Sequence, residues 1–143
     1  MNKPINHITT EDVEAFDMYP ELNMYQGIAG KSAIYPGQGT FLGLMYVNAK
    51  LNGEAGEFSE NVGKALRDDN VLVDDPNDDL FGFRNLPEER RQKLILELGD
   101  VLWYVAAAAR ELGVSLEYIA RRNLDKLRDR SERGTLQGSG DDR

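Results

Sequence analysis

Between Leu44 and Ala65 the apolar residues Leu44, Val47, Leu51, Ala55, Phe58, Val62 and Ala65 step by three and four, a spacing that a helix turns into one continuous face. The helix this predicts opens at Thr40, after the breaker cluster Tyr35-Pro-Gly-Gln-Gly39, and reaches about Arg67. At about 100° per residue, Glu54 and Glu57 lie together on one edge of that face, with Asn61 between them in azimuth and Glu60 roughly opposite Leu51. An acid pair at the margin of an apolar stripe, rather than opposite it, is costly without cations.

A second helix carries a second pair. Pro87 suits a first helical position, Glu88 and Glu89 suit the positive end of the dipole, and Gly113 suits a stop. Within this span Glu97-Leu-Gly-Asp100 again sets two acids three residues apart on one face. Both pairs share a spacer glycine, Gly56 and Gly99, which costs about 1 kcal/mol of helix propensity each relative to alanine. Close approach of the two helices, with carboxylates sharing metal ions, would explain that cost; tight packing without metal is the alternative. Beyond Asp100 the nine residues Val101 to Ala109 are apolar nearly all round, which predicts self-association if this helix lies at the edge of a small monomer.

The rest of the chain is also read as helical. Thr10 is expected to cap a short helix limited by Pro20, and a further helix is expected from Glu21 to Ile34. Ser115 is expected to cap a last helix that reaches about Glu132 and ends at Gly134. The Asp-rich stretch 68–86 reads as an acidic surface insertion, 134–143 as a tail, and 1–20 as an N-terminal extension. The 143 residues fit one all-α domain.

Composition narrows the function. With no cysteine there is neither a disulfide nor a thiolate metal site, and no N-terminal apolar run resembles a signal peptide, so a cytoplasmic protein is expected. No stretch reaches the roughly 18 apolar residues of a membrane helix. A net charge of −8 argues against binding nucleic-acid backbones, though a nucleotide is compatible if metals screen its phosphates. Glu-x-x-His di-iron motifs, phosphate-binding loops and a Cys/His nucleophile pair are all absent, and His7, the one histidine, reads as a terminal residue.

A lone Glu-x-x-Glu is ordinarily a solvated face. Two such pairs facing each other would make an all-oxygen nest of Glu54, Glu57, Glu97 and Asp100 for a hard divalent ion, Mg²⁺ with Mn²⁺ as an alternative, and so point to metal-assisted phosphate chemistry. On the last helix Asn123 falls within the stripe of Leu116, Ala120 and Leu127, with Lys126 and Arg130 on one flank. These three could face an oxyanion. On spacing alone, backbone bonding by Asn123 and local neutralisation of acids by the two cations accounts for them better. Tyr104 shares the edge of Glu97 and Asp100, as a phosphate or sugar contact or as packing, whereas Trp103 projects elsewhere and reads as core or interface.

These residues closely resemble the MazG-like nucleoside triphosphate pyrophosphohydrolases of the all-α NTP pyrophosphatase superfamily. The resemblance is carried by Tyr25-Gln with Ser32-Ala-Ile-Tyr-Pro36, by Leu51-Asn-Gly-Glu-Ala-Gly-Glu-Phe with Lys64-Ala-Leu-Arg-Asp, and by Glu97-Leu-Gly-Asp-Val-Leu-Trp-Tyr104. It continues through Asn123-Leu-Asp-Lys-Leu with Arg130, and from Arg133 to Arg143. It implies a four-helix-bundle-like fold with an extra N-terminal helix, forming a homodimer or homotetramer. It further implies hydrolysis of a nucleoside triphosphate, a dNTP foremost, to monophosphate and pyrophosphate through water activated by Mg²⁺. Glu54, Glu57, Glu97 and Asp100 correspond to the metal ligands and catalytic acids. Asn123, Lys126 and Arg130 correspond to substrate contacts, to which Lys64, Asn61 and Tyr104 are added. One departure is the 40 positions from Glu57 to Glu97, longer than usual for the family, with the surplus in the acidic insertion. Related readings are an enzyme for a specialised nucleotide such as phosphoribosyl-ATP, and a non-catalytic, metal-stabilised helical interaction module.

Overall fold

A computed structural model describes residues 9–18, 21–69, 71 and 86–133. Those residues form an all-α fold, as the sequence predicts, in the order α1 (Thr10–Met18), α2 (Leu22–Gly30), α3 (Phe41–Asp68), α4 (Glu88–Glu111) and α5 (Leu116–Glu132). Most of the Asp-rich stretch (72–85), the tail 134–143 and His7 lie outside the described residues.

The helix ends follow from local chemistry in some places and from tertiary partners in others. Ser115 caps α5 as expected, its hydroxyl accepting from Tyr118 N–H at 3.1 Å. Two more of the orphan amides of that helix are met by α2: Gln26 Oε1 accepts from Leu116 N–H at 3.0 Å and Asn23 Oδ1 from Glu117 N–H at 3.2 Å. At α1 the cap is Thr9 rather than Thr10. The Thr9 hydroxyl accepts from Asp12 N–H while Asp12 accepts from Thr9 N–H, a reciprocal box that needs the acid three positions on. Helix α2 stops at Gly30, short of the expected Ile34, because Trp103 Nε1 and Ser32 Oγ both donate to Ala29 C=O and Arg110 Nη1 donates to Gly30 C=O. The local backbone tightens at the same place, Ser32 N–H donating to Ala29 C=O at 3.1 Å and Ala33 N–H to Gly30 C=O at 3.2 Å. Gly113, at φ 69°, ends α4 in a left-handed residue, and Val114 N–H returns to Ala109 C=O.

Helices α3 and α4 form the principal pair, antiparallel by their cross-contacts: Asp69 meets Arg90 at 2.7 Å, Asn61 meets Glu97 at 3.2 Å, Val47 clusters with Ala107, and Gly39, just before α3, meets Glu111. Helix α4 also packs on α2 and α5, so it is the hub of the fold. Its small residues suit that place. Ala107 joins Tyr35 and Val47 in one buried cluster, while Ala106 and Ala109 join Leu116 in another. Of the apolar run after Asp100, Ala106, Ala107 and Ala109 are buried inside one chain, the others are half-buried and Leu102 is exposed. More strongly exposed apolar residues lie outside that run, with Phe41 at the start of α3, Leu96 midway along α4 and Leu124 on α5 being 74%, 68% and 65% exposed.

Candidate metal centre

The antiparallel register of α3 and α4 decides which acids meet. One carboxylate oxygen from each of Glu54, Glu57 and Glu97 lies within 4.8 Å of the others, with Glu54 and Glu97 half-buried and Glu57 exposed. Three like charges at that spacing repel unless a cation or a proton intervenes. Burial first, then the charges of Glu57 and Asp100, raise the Glu54 carboxyl above its ordinary value, against a smaller opposing effect of Lys50. The donor set suits a hard divalent cation: all oxygen, carboxylate-rich and partly open to water. Asp100 is exposed and outside the three-acid group, yet it lines a cleft with Glu54 and acts on it electrostatically.

Asn61 ties the two acid-bearing helices together. Its Nδ2 donates to Glu97 Oε1 at 3.2 Å and to Glu57 C=O at 3.1 Å, orienting one acid of the cluster from the helix that carries the other two. Lys64, one turn further on, is held by Glu60 at 2.7 Å in an exposed i,i+4 pair rather than aimed at the acids. The spacer glycines do not work as expected within the chain: a Cβ added at Gly56 or at Gly99 meets nothing within 4 Å, and both are exposed. Their missing side chains leave open surface instead of a close helix contact.

The cleft beside Glu54 and Asp100, of about 670 Å³, is walled by Ser32, Ile34, Tyr35, Pro36, Tyr46, Trp103 and Tyr104. Its aromatics brace one another. Tyr35 stacks on Tyr46 at 5.7 Å between ring centroids, and Trp103 meets Tyr35 and Tyr104 edge-on at 6.2 and 4.8 Å. Burial, then the charges of Tyr46, Glu54 and Asp100, push the Tyr104 hydroxyl up, so it stays a protonated donor beside the acids. Trp103 is both core, packed on the Tyr35–Val47–Ala107 cluster, and wall of the cleft. The breaker cluster at Tyr35 carried a signal that its glycines obscured: an aromatic side chain leading directly into the helix of the first acid pair.

On α5, Asn123 and Lys126 are exposed and Arg130 is buried. Of the expected inward stripe, Leu116 is buried and Ala120 half-buried, whereas Leu127 is exposed. Helix α5 is thus buried at Leu116 near its start and at Arg130 near its end.

Comparison with known proteins accords with this geometry. Residues 45–135 match the MazG nucleotide pyrophosphohydrolase domain, a segment that opens within α3 and contains both acid pairs. The chain is 44% identical over 125 residues to the Gene 37 protein of Mycobacterium phage L5, an alignment covering 85% of this chain and 98% of that one. No solved structure matches. Among the described residues, no helix is long and apolar enough to cross a membrane.

Proposed function

Because the chain belongs to the MazG nucleotide pyrophosphohydrolase family, we propose that it hydrolyses nucleoside triphosphates, dNTPs foremost, at the α,β-phosphoanhydride bond to give nucleoside monophosphate and pyrophosphate. The observation that carries this reading is the convergence of Glu54, Glu57 and Glu97 from two antiparallel helices, with Asp100 beside them. We take residues 1–143 as one such domain, and Glu54, Glu57, Glu97 and Asp100 as the ligands of Mg²⁺. When bound there, Mg²⁺ would supply Lewis acidity for activating water and screening the triphosphate.

The residues of the chain divide the remaining work. Asn61 holds Glu97 in register. The attacking water must lose a proton, and a carboxylate of the cluster is the base within reach. Tyr104 offers its hydroxyl as a donor at the cleft beside Asp100, and we assign Asn123, Lys126, Arg130 and Lys64, from outside that cleft, to the phosphate oxygens as amide and cations. Lys64 must first leave Glu60, an exposed pair that costs little to break.

We read the active form as a homodimer or homotetramer. Support comes from the apolar side chains of Phe41, Leu96 and Leu124, which one chain leaves mostly in water.

The deciding experiment is a pyrophosphate-release assay across the eight common ribo- and deoxyribonucleoside triphosphates, with Mg²⁺ and with chelator, identifying the nucleotide product. Metal-dependent monophosphate plus pyrophosphate supports the assignment and ranks the bases. Silence on all eight, and on specialised nucleotides such as phosphoribosyl-ATP, defeats it in favour of a metal-stabilised interaction module.

A further inference from the structure

The aromatic cleft beside Glu54 and Asp100 has one wall that α3 and α4 do not supply. Ser32, Ile34, Tyr35 and Pro36 belong to the loop after α2, before residue 45, where the family match begins. A wall made of loop keeps its shape only if something outside the loop holds it. Trp103 Nε1 fixes its start by donating to Ser32 Oγ at 2.9 Å.

The rest is held by Glu111, in the last turn of α4. Glu111 Oε1 accepts from the Tyr35 hydroxyl at 2.6 Å, and Oε2 accepts from Gly39 N–H at 2.8 Å. One carboxylate therefore grips both ends of the segment 35–39. The fit around it is close: a Cβ at Gly43 would stand 2.8 Å from Glu111 Oε2 and 2.5 Å from Gly37 C=O, and Gly37 itself sits at φ 72°. Tyr35, only 7% exposed, in turn sets the plane of Tyr46 and abuts Trp103. A carboxylate about three turns along α4 from Asp100, and about four from Glu97, thus fixes the aromatic surface that opens next to the acids.

We propose that Glu111 is a positioning residue for substrate. Through Tyr35 and Gly39 it holds the Ser32–Pro36 wall against the aromatic cleft, and this cleft takes the nucleoside end of the triphosphate. The cleft has the size of a small-ligand site, and stacked or edge-on aromatic rings are surfaces on which a base gains affinity. The inference rests on the pyrophosphohydrolase reading above and adds to it a source of substrate preference outside the matched segment.

The test combines steady-state kinetics with a binding readout. Trp103 is the one tryptophan of the chain, so its fluorescence reports occupancy of the cleft by a nucleoside α,β-methylene triphosphate without turnover. Glu111→Ala is expected to raise KM about tenfold with kcat within about twofold of wild type, and to raise the Kd of the analogue by the same factor. Glu111→Gln, which keeps one acceptor, and Tyr35→Phe, which loses only the hydroxyl, should each give about a threefold rise. The double variant Glu111→Ala with Tyr35→Phe should be no worse than Glu111→Ala alone, because the two changes remove a shared contact. The two near-isosteric variants keep the test decisive should Glu111→Ala fold poorly. Wild-type KM and Kd in Glu111→Gln and Tyr35→Phe, or a fall in kcat at constant KM, would overturn the role of Glu111 while leaving the family activity intact. A wild-type protein that neither releases pyrophosphate nor changes its Trp103 signal with the analogue would overturn the functional reading, and this inference with it.

Discussion

Asn61 Nδ2 stands 3.2 Å from Glu97 Oε1, so an amide on α3 donates to an acid on α4 that lies within 4.8 Å of two acids of α3. A partner of this kind sets the orientation of a ligand without binding the metal itself. Asn61→Ala should therefore weaken Mg²⁺ by about tenfold or more, and Asn61→Leu, which also removes the donor, should do the same. Isothermal titration with Mg²⁺ measures this directly. Unchanged affinity in both variants would mean that Glu97 needs no such support.

Glu57→Ala and Asp100→Ala should each reduce pyrophosphate release by about a thousandfold or more while far-ultraviolet circular dichroism stays as in wild type. Both side chains are exposed, so their loss leaves no cavity in the core. Normal turnover by either variant would remove that residue from the metal site. The comparison is informative because Asp100 lies outside the three-acid group: retained Mg²⁺ affinity with lost turnover would assign it to substrate rather than to the ion.

The acid pairs were legible in the sequence because a three-residue offset on a helix is a local property, and the Ser115 cap was legible for the same reason. The end of α2 was not. Its last carbonyls accept from Trp103 and Arg110, more than seventy residues away, as well as from the local Ser32 and Ala33, and no local signal encodes a donor that arrives through the fold. Nor does the sequence tell that part of Val101–Ala109 serves contacts of α4 with α2, α3 and α5 within one chain, since an apolar run does not name what packs on it. Glu111 escaped notice because it looks like an ordinary charge at the end of a helix until the Tyr35 loop folds onto it.

Metal-free protein should lose stability as pH rises from the ordinary Glu value of 4.5, because Glu54 holds its proton more tightly folded than unfolded. Over that window the native state binds more protons, so the slope of unfolding free energy with pH is negative for this group. The effect is moderated by partial exposure of the site. Thermal melts in chelator should show Glu54→Gln gaining on wild type as pH increases above 4.5, with saturating Mg²⁺ reversing the advantage. A constant difference between the two proteins across pH would show that the crowding of acids costs nothing.

Gln26, with Asn23 beside it on α2, ties the start of α5 to the rest of the fold. Its Nε2 donates to Val114 C=O at 3.0 Å while its Oε1 accepts from Leu116 N–H at 3.0 Å. Gln26→Ala strands a partly buried carbonyl and an amide of the first turn, and should cost about 1–3 kcal/mol in urea unfolding. Gln26→Glu keeps the acceptor but turns a carboxylate oxygen toward the Val114 carbonyl, so it should cost at least as much as Gln26→Ala. A cost below about 0.5 kcal/mol for Gln26→Ala would mean that water replaces both bonds.

The proposed self-association draws on exposed apolar side chains, Leu96 foremost and Leu102 of the apolar run among them. Leu96 is 68% exposed although it lies one residue before Glu97, so any surface that covers it also approaches the acid cluster. Gly56 and Gly99, open to solvent in one chain, leave room for that approach. Sedimentation should accordingly give the mass of two or four chains, and Leu96→Glu, which sets a fourth carboxylate beside three on such a surface, should shift the population toward single chains. Because the substituted position faces water in the isolated chain, its melting temperature at high dilution should stay near that of wild type. Turnover per chain that falls together with assembly would tie the active site to the covered surface. Wild-type turnover in a dissociated Leu96→Glu protein would instead make one chain sufficient for catalysis and leave oligomerisation as a matter of stability alone.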